Sequence, residues 1–196
     1  MSSRPVLKTH TALSDGMCRL FEKLEQRLRI GRPVKVFLAG GMAVHLYTAK
    51  RVTCDVDAEF GARILLPNDL MVEVQLEDGS SQVIYFDTNY NPTFALMHED
   101  YQDDAIPVDL EVEPFHLFVL SPVDLAVSKI ARWAPNDRED VAELVRLGLT
   151  SADEIDARAR AALGGYVGGQ SMLLLNLRDA VALAREVEAW RLDGAR

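Results

Sequence analysis

The chain has few cysteines, no long hydrophobic run and no apolar leader, and each shortage excludes a class of protein. Two cysteines, Cys18 and Cys54, occur among 196 residues, and they do not form a CxxC pair. We therefore expect reduced thiols rather than a disulfide framework. No segment approaches the ~18 consecutive apolar residues of a membrane span, and the first residues lack the apolar core of a secretion signal. We expect a soluble, cytoplasmic protein with no membrane partner.

Basic residues are scarce relative to acidic ones. The 21 Lys and Arg against 30 Asp and Glu give a formal net charge of -9 and a pI near 4.9. A general nucleic-acid coat protein is usually basic, so this balance argues against one. It still allows a local basic cleft, because net charge is a property of the whole surface. The four histidines show neither HxxxH nor HExxH spacing, which argues against zinc.

Hydrophobic periodicity predicts strands in the first part of the chain, preceded by one helix. A capping Ser14 and apolar residues at helical spacing predict an amphipathic helix over residues 14–30. The pair Asp78-Gly79 lies between two alternating segments and predicts a hairpin. The expected strands begin near residue 34 and cover 51–60, 70–77, 81–87 and a pair or bent strand over 106–120, with a short helix over 41–49.

The character of the chain changes at Ser121, which precedes Pro122 in a typical helix start. Four helices are predicted from there, and the glycine-rich segment 164–169 is expected to separate the last two. A 48% hydrophobic fraction is enough to build a sizeable core. The predicted fold class is therefore α+β, a mixed β-sheet flanked by helices with a C-terminal helical region. The expected division is a core over 1–120 and a helical region over 121–196.

Two carboxylates, Asp55 and Asp57, lie inside a segment that otherwise alternates like a half-buried strand. Residues two apart on a strand share a face, so the two side chains are expected to lie side by side. Adjacent carboxylates repel each other and lose hydration when buried. A divalent cation removes both difficulties, and Mg²⁺ suits one or two carboxylates with substrate phosphates.

A glycine pair, Gly40-Gly41, opens the short helix upstream of the carboxylates. Glycines allow close backbone approach, and a helix amino terminus favours phosphate. Downstream, Asp109 and Glu111 share one face of a probable strand. Three carboxylates from neighbouring strands could hold two metal ions about 4 Å apart, as in nucleotidyl transfer. Either Asp109 or Glu111 could supply the third.

Thr53 and Arg51, which precede the carboxylates, are further candidates for the site. Thr53 shares the face of Asp55 and Asp57, so its hydroxyl could touch a phosphate or a metal-bound water. A strand threonine without such a role fits the pattern equally well. Arg51 could contact a triphosphate or be a surface charge, and we favour the contact.

The glycine pair, the DxD motif and a later acidic residue together resemble the polymerase-beta-like nucleotidyltransferase superfamily. The resemblance implies a nucleotidyltransferase-like fold, an NTP substrate and two Mg²⁺ ions. It assigns Asp55, Asp57 and Asp109 to the metals, and Gly40 and Gly41 to the triphosphate. Asp109 would also act on the acceptor hydroxyl.

The segment "LSPVDLAVSKIARWAPNDREDVAELV", residues 120–145, looks like the AbiEii-type toxin branch of that superfamily. By that likeness Lys129 would act in catalysis and contact the nucleotide phosphates, and Asp140 would orient Lys129 or the nucleotide. Arg138 would help to bind the triphosphate, and the helical region would complete the nucleotide cleft. Since Lys129 does not share a helix face with Asp124, we expect its side chain to point freely into a cleft.

The function implied by the resemblance is Mg²⁺-dependent transfer of an NMP from an NTP, ATP included, to tRNA or to a protein. The context would be a toxin–antitoxin or phage-defence system with an antitoxin partner. One alternative is nucleotidylation of a small molecule such as a polycationic aminoglycoside, which the acidic segment 98–105 would suit. Another is a non-catalytic member that acts as a binding or regulatory protein.

Overall fold

The computed structural model describes residues 5–193, which form two compact units. The first unit comprises residues 5–90 and 105–120, and the second comprises residues 91–104 and 121–193. No helix of this described part is long and apolar enough to cross a membrane.

The first unit contains two helices and seven short strands in two mixed sheets. The four-stranded sheet has the order β3-β1-β7-β6, and the three-stranded sheet has the order β2-β5-β4. The elements are α1 (Ala12–Leu28), β1 (Val34–Leu38), α2 (Gly40–Thr48), β2 (Asp55–Val56), β3 (Ala58–Phe60), β4 (Met71–Gln75), β5 (Ser81–Phe86), β6 (Ile106–Pro107) and β7 (Phe115–Val119). The predicted α+β class is confirmed.

Helix α1 begins where Thr11 caps it and covers the inner faces of the strands. The backbone N–H of Ser14 donates to Thr11 Oγ1, and the helix ends at Arg29 in the left-handed conformation. Phe21 lies at the centre of an aromatic cluster, since its ring centroid is 5.0 to 6.2 Å from those of three other phenylalanines, Phe60, Phe86 and Phe115. This cluster joins α1 to strands of both sheets.

The strand predicted over 51–60 is divided between the two sheets, which corrects the expectation of one continuous strand. β2 pairs in parallel with β5, whereas β3 pairs antiparallel with β1. Asp57 is the single residue between β2 and β3, so it lies where the chain passes from one sheet to the other. The hairpin predicted around Asp78-Gly79 is confirmed as β4 and β5, with Gly79 at φ 82°.

The strand pair predicted over 106–120 is confirmed, but β6 is only two residues long. Asp109 and Glu111 lie in the connection between β6 and β7 and not in a strand. The backbone N–H of Leu110 donates a hydrogen bond to the carbonyl of Val108, two residues earlier, so the chain leaves the extended conformation at this point. The expectation that Asp109 and Glu111 share a strand face is therefore wrong.

The second unit contains the four predicted helices. They are α3 (Pro122–Ser128), α4 (Pro135–Arg146), α5 (Ala152–Ala162) and α6 (Gln170–Asp193), with short 3-10 turns at Pro92–Phe94 and Leu163–Gly165. α6 packs against α4 and α5. α3 is shorter than the predicted helix over 121–134, because the chain turns after Ser128 and Trp133 takes a left-handed φ of 51°.

Candidate functional site

The glycine pair that opens α2 lies directly against the carboxylate motif. Gly40 has φ 58°, and a Cβ at this position would lie 1.6 Å from Asp57 Oδ2. A Cβ at Gly41 would lie 2.7 Å from Thr53 Oγ1. Any other residue at Gly40 would displace the Asp57 carboxylate. The structure thus brings together Gly40, Gly41, Thr53 and Asp57, which the sequence separates by up to 17 positions.

The amino terminus of α2 faces this carboxylate without a side-chain cap. Ala39 is the N-cap residue and supplies no capping side chain. Its backbone N–H donates to the carbonyl of Asp57 at 2.9 Å, which fixes the helix start against the residue between β2 and β3. The first N–H groups of a helix have no partner within it and carry partial positive charge. They form a surface that suits carboxylate and phosphate oxygens.

Asp55, the first carboxylate of the motif, is held by the threonine two residues earlier. Thr53 is 7% exposed, and its hydroxyl donates a short hydrogen bond to Asp55 Oδ1. Asp55 and Asp57 are both half-buried. Thr53 therefore fixes the orientation of Asp55 while it packs against Gly41.

The backbone carbonyl of Arg51 contacts a buried histidine of α2, His45. The Arg51 carbonyl accepts from His45 Nδ1 at 2.7 Å, and His45 Nε2 lies 2.7 Å from Thr11 Oγ1. His45 is 4% exposed. It thus links the N-cap of α1 to the segment that leads into the carboxylate motif, and the triphosphate contact of the Arg51 side chain stays a prediction.

Burial lowers the pKa of His45 below 6.5, although the Arg51 carbonyl opposes the shift. The folded protein therefore holds a neutral imidazole over a pH range in which the unfolded chain already binds a proton. Stability that depends on His45 is fully present above pH 6.5 and is lost as the pH falls through the lowered pKa. We expect the free energy of unfolding, measured in urea, to be lower at pH 5.5 than at pH 7.5.

The control for this prediction is a histidine exchange at an exposed position. His45→Gln is expected to reduce the difference between the two pH values, whereas His116→Gln on the exposed side of β7 should leave it unchanged. Equal pH dependence in the wild type and His45→Gln would contradict the assignment.

The strand register separates Asp109 from the DxD motif. Ala58, which follows Asp57, lies opposite Leu38 in β1, but β6 is three strand positions from β3. Strands lie ~4.8 Å apart, so the lateral separation alone is roughly 14 Å. Asp109 is also displaced from the motif along the strand direction. The backbone N–H of Val108 donates to the carbonyl of Leu117, and Leu117 lies opposite Val36, two residues before Leu38 in β1.

Asp109 instead lines a cleft of about 450 Å³ with residues of the segment 5–9. Glu111 is two residues further along the same connection. Among residues 5–193, no three His, Cys, Asp or Glu side chains are placed to hold a metal ion. The assignment of Asp109 as third carboxylate is therefore corrected, and Glu111 does not replace it.

A different carboxylate, Asp87, lies beside the motif. β5 pairs in parallel with β2 so that Val56 is opposite Phe86, and the backbone N–H of Asp87 donates to the Val56 carbonyl at 3.1 Å. Asp87 Oδ1 accepts from the backbone N–H of Asn89 at 2.8 Å, so one of its oxygens closes a turn. The sequence signal was its position as the last residue of a predicted strand, but the parallel pairing could not be deduced.

In the second unit, Lys129 forms a buried ion pair. Its Nζ lies 2.8 Å from Asp140 Oδ2 and 3.7 Å from Asp137 Oδ1, and the three side chains are 5% exposed or less. The predicted pairing of Asp140 with Lys129 is present. The expectation that Lys129 points freely into a cleft is wrong, because two carboxylates hold its amine.

Asp137 also accepts from Arg132 at 2.7 and 2.8 Å and from the backbone N–H of Ala134. Burial raises the pKa of Asp137, but these hydrogen bonds and the Lys129 charge outweigh it and hold the pKa below its usual range. Arg138 is exposed, with its guanidinium 5.4 Å from the centre of the Trp133 ring. The nucleotide contacts assigned to Lys129, Arg138 and Asp140 stay predictions.

The family model described as "Nucleotidyltransferase of unknown function (DUF6036)" matches residues 15–165. No curated protein and no solved structure gives a significant match. The matched range contains the glycine pair, the carboxylate motif and the Lys129 ion pair.

Proposed function

Because the chain belongs to this family of nucleotidyltransferases of unknown function, we propose that it transfers a nucleoside monophosphate from an NTP to an acceptor, with Asp55 and Asp57 as the catalytic carboxylates. The observation that carries the proposal is the contact of Gly40 with Asp57. It sets a helix amino terminus, which suits phosphate, against carboxylates, which suit a metal ion.

The residues present fit Mg²⁺ shared with a bound nucleotide. Asp55 and Asp57 offer two half-buried carboxylates, and Mg²⁺ commonly takes one or two carboxylates together with substrate phosphates. The backbone at Gly40 leaves no room for a Cβ beside these oxygens. The proposal therefore assigns one ion to this pair and the triphosphate, and the second ion that the resemblance implies stays a prediction.

The chemistry joins the acceptor oxygen to the α-phosphorus of the NTP and breaks the bond between that phosphorus and the oxygen that leads to the β-phosphorus. Pyrophosphate leaves, and the proton of the acceptor hydroxyl passes to a carboxylate of the pair. Mg²⁺, when bound, neutralises charge on the phosphates. The α2 amino terminus, with Gly40 and Gly41, binds phosphate oxygens, and Thr53 keeps Asp55 in position.

The acceptor and the biological context are proposed from the resemblance to AbiEii-type toxins. By that likeness the acceptor is tRNA or a protein, and an antitoxin is the partner. A second candidate function is a non-catalytic binding or regulatory protein. It is favoured by the absence of a three-carboxylate metal group among residues 5–193.

Incubation of the purified protein with each α-³²P-labelled NTP, Mg²⁺ and cell extract tests the function. We expect label to appear in a macromolecule with one or more NTPs, and we expect EDTA to remove it. Asp109→Asn is expected to retain transfer within about twofold, because exposed substitutions away from a site have small effects.

Absence of label in RNA, protein and small-molecule fractions would favour the non-catalytic candidate. If Asp109→Asn instead loses transfer while its midpoint of thermal unfolding is unchanged, Asp109 belongs to the site. The conclusion that the strand register separates Asp109 from the carboxylate motif would then be wrong.

A further inference from the structure

The outer face of the three-stranded sheet carries three exposed large apolar side chains. Along β4 and β5 the inner residues are buried, whereas Met71, Val83 and Tyr85 are 51%, 42% and 44% exposed. Alternation along a strand places these three on one face. We call this surface the Tyr85 face, defined by Met71, Val83 and Tyr85.

The Tyr85 face continues directly into the candidate site. Tyr85 lies opposite Asp55 in the parallel pair β2–β5 and opposite Met71 in the antiparallel pair β4–β5. Directly paired residues point to the same side of a sheet. Asp55, Tyr85 and Met71 therefore form one row across three strands, with the carboxylate at one end and the sheet edge at the other.

A line of cations runs along that sheet edge. Arg19, Lys23 and Arg27 recur every four residues on α1, so they share one helix face. Arg19 donates to the Glu73 carbonyl and Lys23 to the Met71 carbonyl, both at 3.1 Å. All three side chains are exposed, and each keeps N–H groups beyond these bonds. The Arg27 charge is shared with Asp69 at 3.0 Å.

We propose that the Tyr85 face binds unpaired bases at the single-stranded end of an acceptor nucleic acid, whose phosphates lie along Arg19, Lys23 and Arg27. Single-stranded nucleic acid is bound by surfaces that combine an exposed aromatic ring with a line of cations, since every base has a face that can stack. The position of Tyr85 beside Asp55 places a stacked terminal nucleotide next to the reacting groups. The inference rests on the proposed function and names its acceptor class.

Charge complementarity supports this occupant. Arg19 and Lys23 give the edge of the Tyr85 face a local positive charge in a chain whose net charge is -9, and this local charge complements the phosphates of a nucleic acid. Glu73 is the acidic side chain on the outer face of β4. Its replacement by glutamine should therefore tighten binding of a polyanion.

The experiment measures binding of a fluorescein-labelled 12-nucleotide single strand, as RNA and as DNA, by fluorescence anisotropy at several salt concentrations. We expect Tyr85→Ala to raise the Kd roughly tenfold, because stacking is lost. Tyr85→Phe should keep the Kd within about twofold. Trp190→Ala removes an aromatic side chain that is 74% exposed on α6 and should have no effect. Arg19→Gln and Lys23→Gln should each reduce the slope of log Kobs against log salt by about 0.7.

The inference is overturned if neither single strand binds, if Tyr85→Ala does not weaken binding, or if the same sequence binds more tightly as a duplex. A Tyr85→Ala variant that changes oligomeric state, measured by light scattering, would assign the face to a second copy and would also overturn it. Because binding is measured without NTP, a protein that transfers nucleotides but binds no strand refutes this inference alone. A protein that binds the strand and transfers nothing refutes the proposed function alone.

Discussion

Gly40→Ala is expected to reduce nucleotidyl transfer by at least about 10²-fold, although it changes no acidic or basic group. The added Cβ would occupy a point 1.6 Å from Asp57 Oδ2, so the carboxylate must move. A displacement of about 1 Å in a catalytic group commonly costs about 10²-fold in rate. The residue also needs φ 58°, which is unfavourable for alanine by roughly 1–2 kcal/mol.

A double-mutant cycle separates this effect from general damage. Asp57→Asn is expected to lower the rate of label transfer by about 10²–10³-fold, as the loss of one preorganised charged group does. If Gly40→Ala acts through the Asp57 carboxylate, the double variant should be no slower than Asp57→Asn, because coupled residues are not additive. Gly31→Ala is the matched control, since an added Cβ there meets nothing within 4 Å. Additive losses in the double variant would place the effect of Gly40→Ala elsewhere.

The contact between Gly40 and Asp57 also shows which features of the candidate site could be predicted from the sequence. The strand alternation around Asp55 and Asp57 and the glycine pair at a helix start are local signals; the helix forms where its signal predicts it, and the predicted strand forms only as two short strands, β2 and β3. The division of residues 51–60 between two sheets has no local signal, because it depends on the partners β5 and β1. The glycine pair at a helix start was therefore predictable, and the position of Asp57 between the sheets was not.

The prediction of the third carboxylate was wrong for the same physical reason. "VDLEV" alternates like a strand, but β6 ends at Pro107, and the order of the strands puts it at the far edge of the sheet. Strand order is a long-range property that residue alternation does not encode. Asp87 shows the converse, since a parallel pairing of distant segments brings it next to Val56.

The helices of the second unit were easier to predict, because Ser121 with Pro122 and the apolar spacing act within a few residues. What local reasoning missed there is the environment of Lys129. A lysine that follows an amphipathic helix usually reaches solvent, whereas this one is buried against two carboxylates from α4.

That environment makes Lys129→Met the second change with a large expected effect. Removal of the ammonium leaves Asp137 and Asp140 buried without their shared cation, and breaking a buried ion pair from one side commonly costs about 3–5 kcal/mol. We expect the free energy of unfolding in urea to fall by about that amount. Arg185→Met, which removes an exposed cation of the same unit, should change it by less than about 0.5 kcal/mol.

The compensating variant distinguishes a lost ion pair from a badly packed methionine. Lys129→Met combined with Asp140→Leu removes both charges of the 2.8 Å pair, and apolar replacement of a whole buried pair is often neutral. The double variant should therefore be more stable than Lys129→Met alone, while Arg132 continues to hold Asp137. If Lys129→Met is instead as stable as the wild type, the Lys129 amine does not stabilise the fold. The nucleotide contact predicted for Lys129 would then be the remaining explanation for its position beside Asp140.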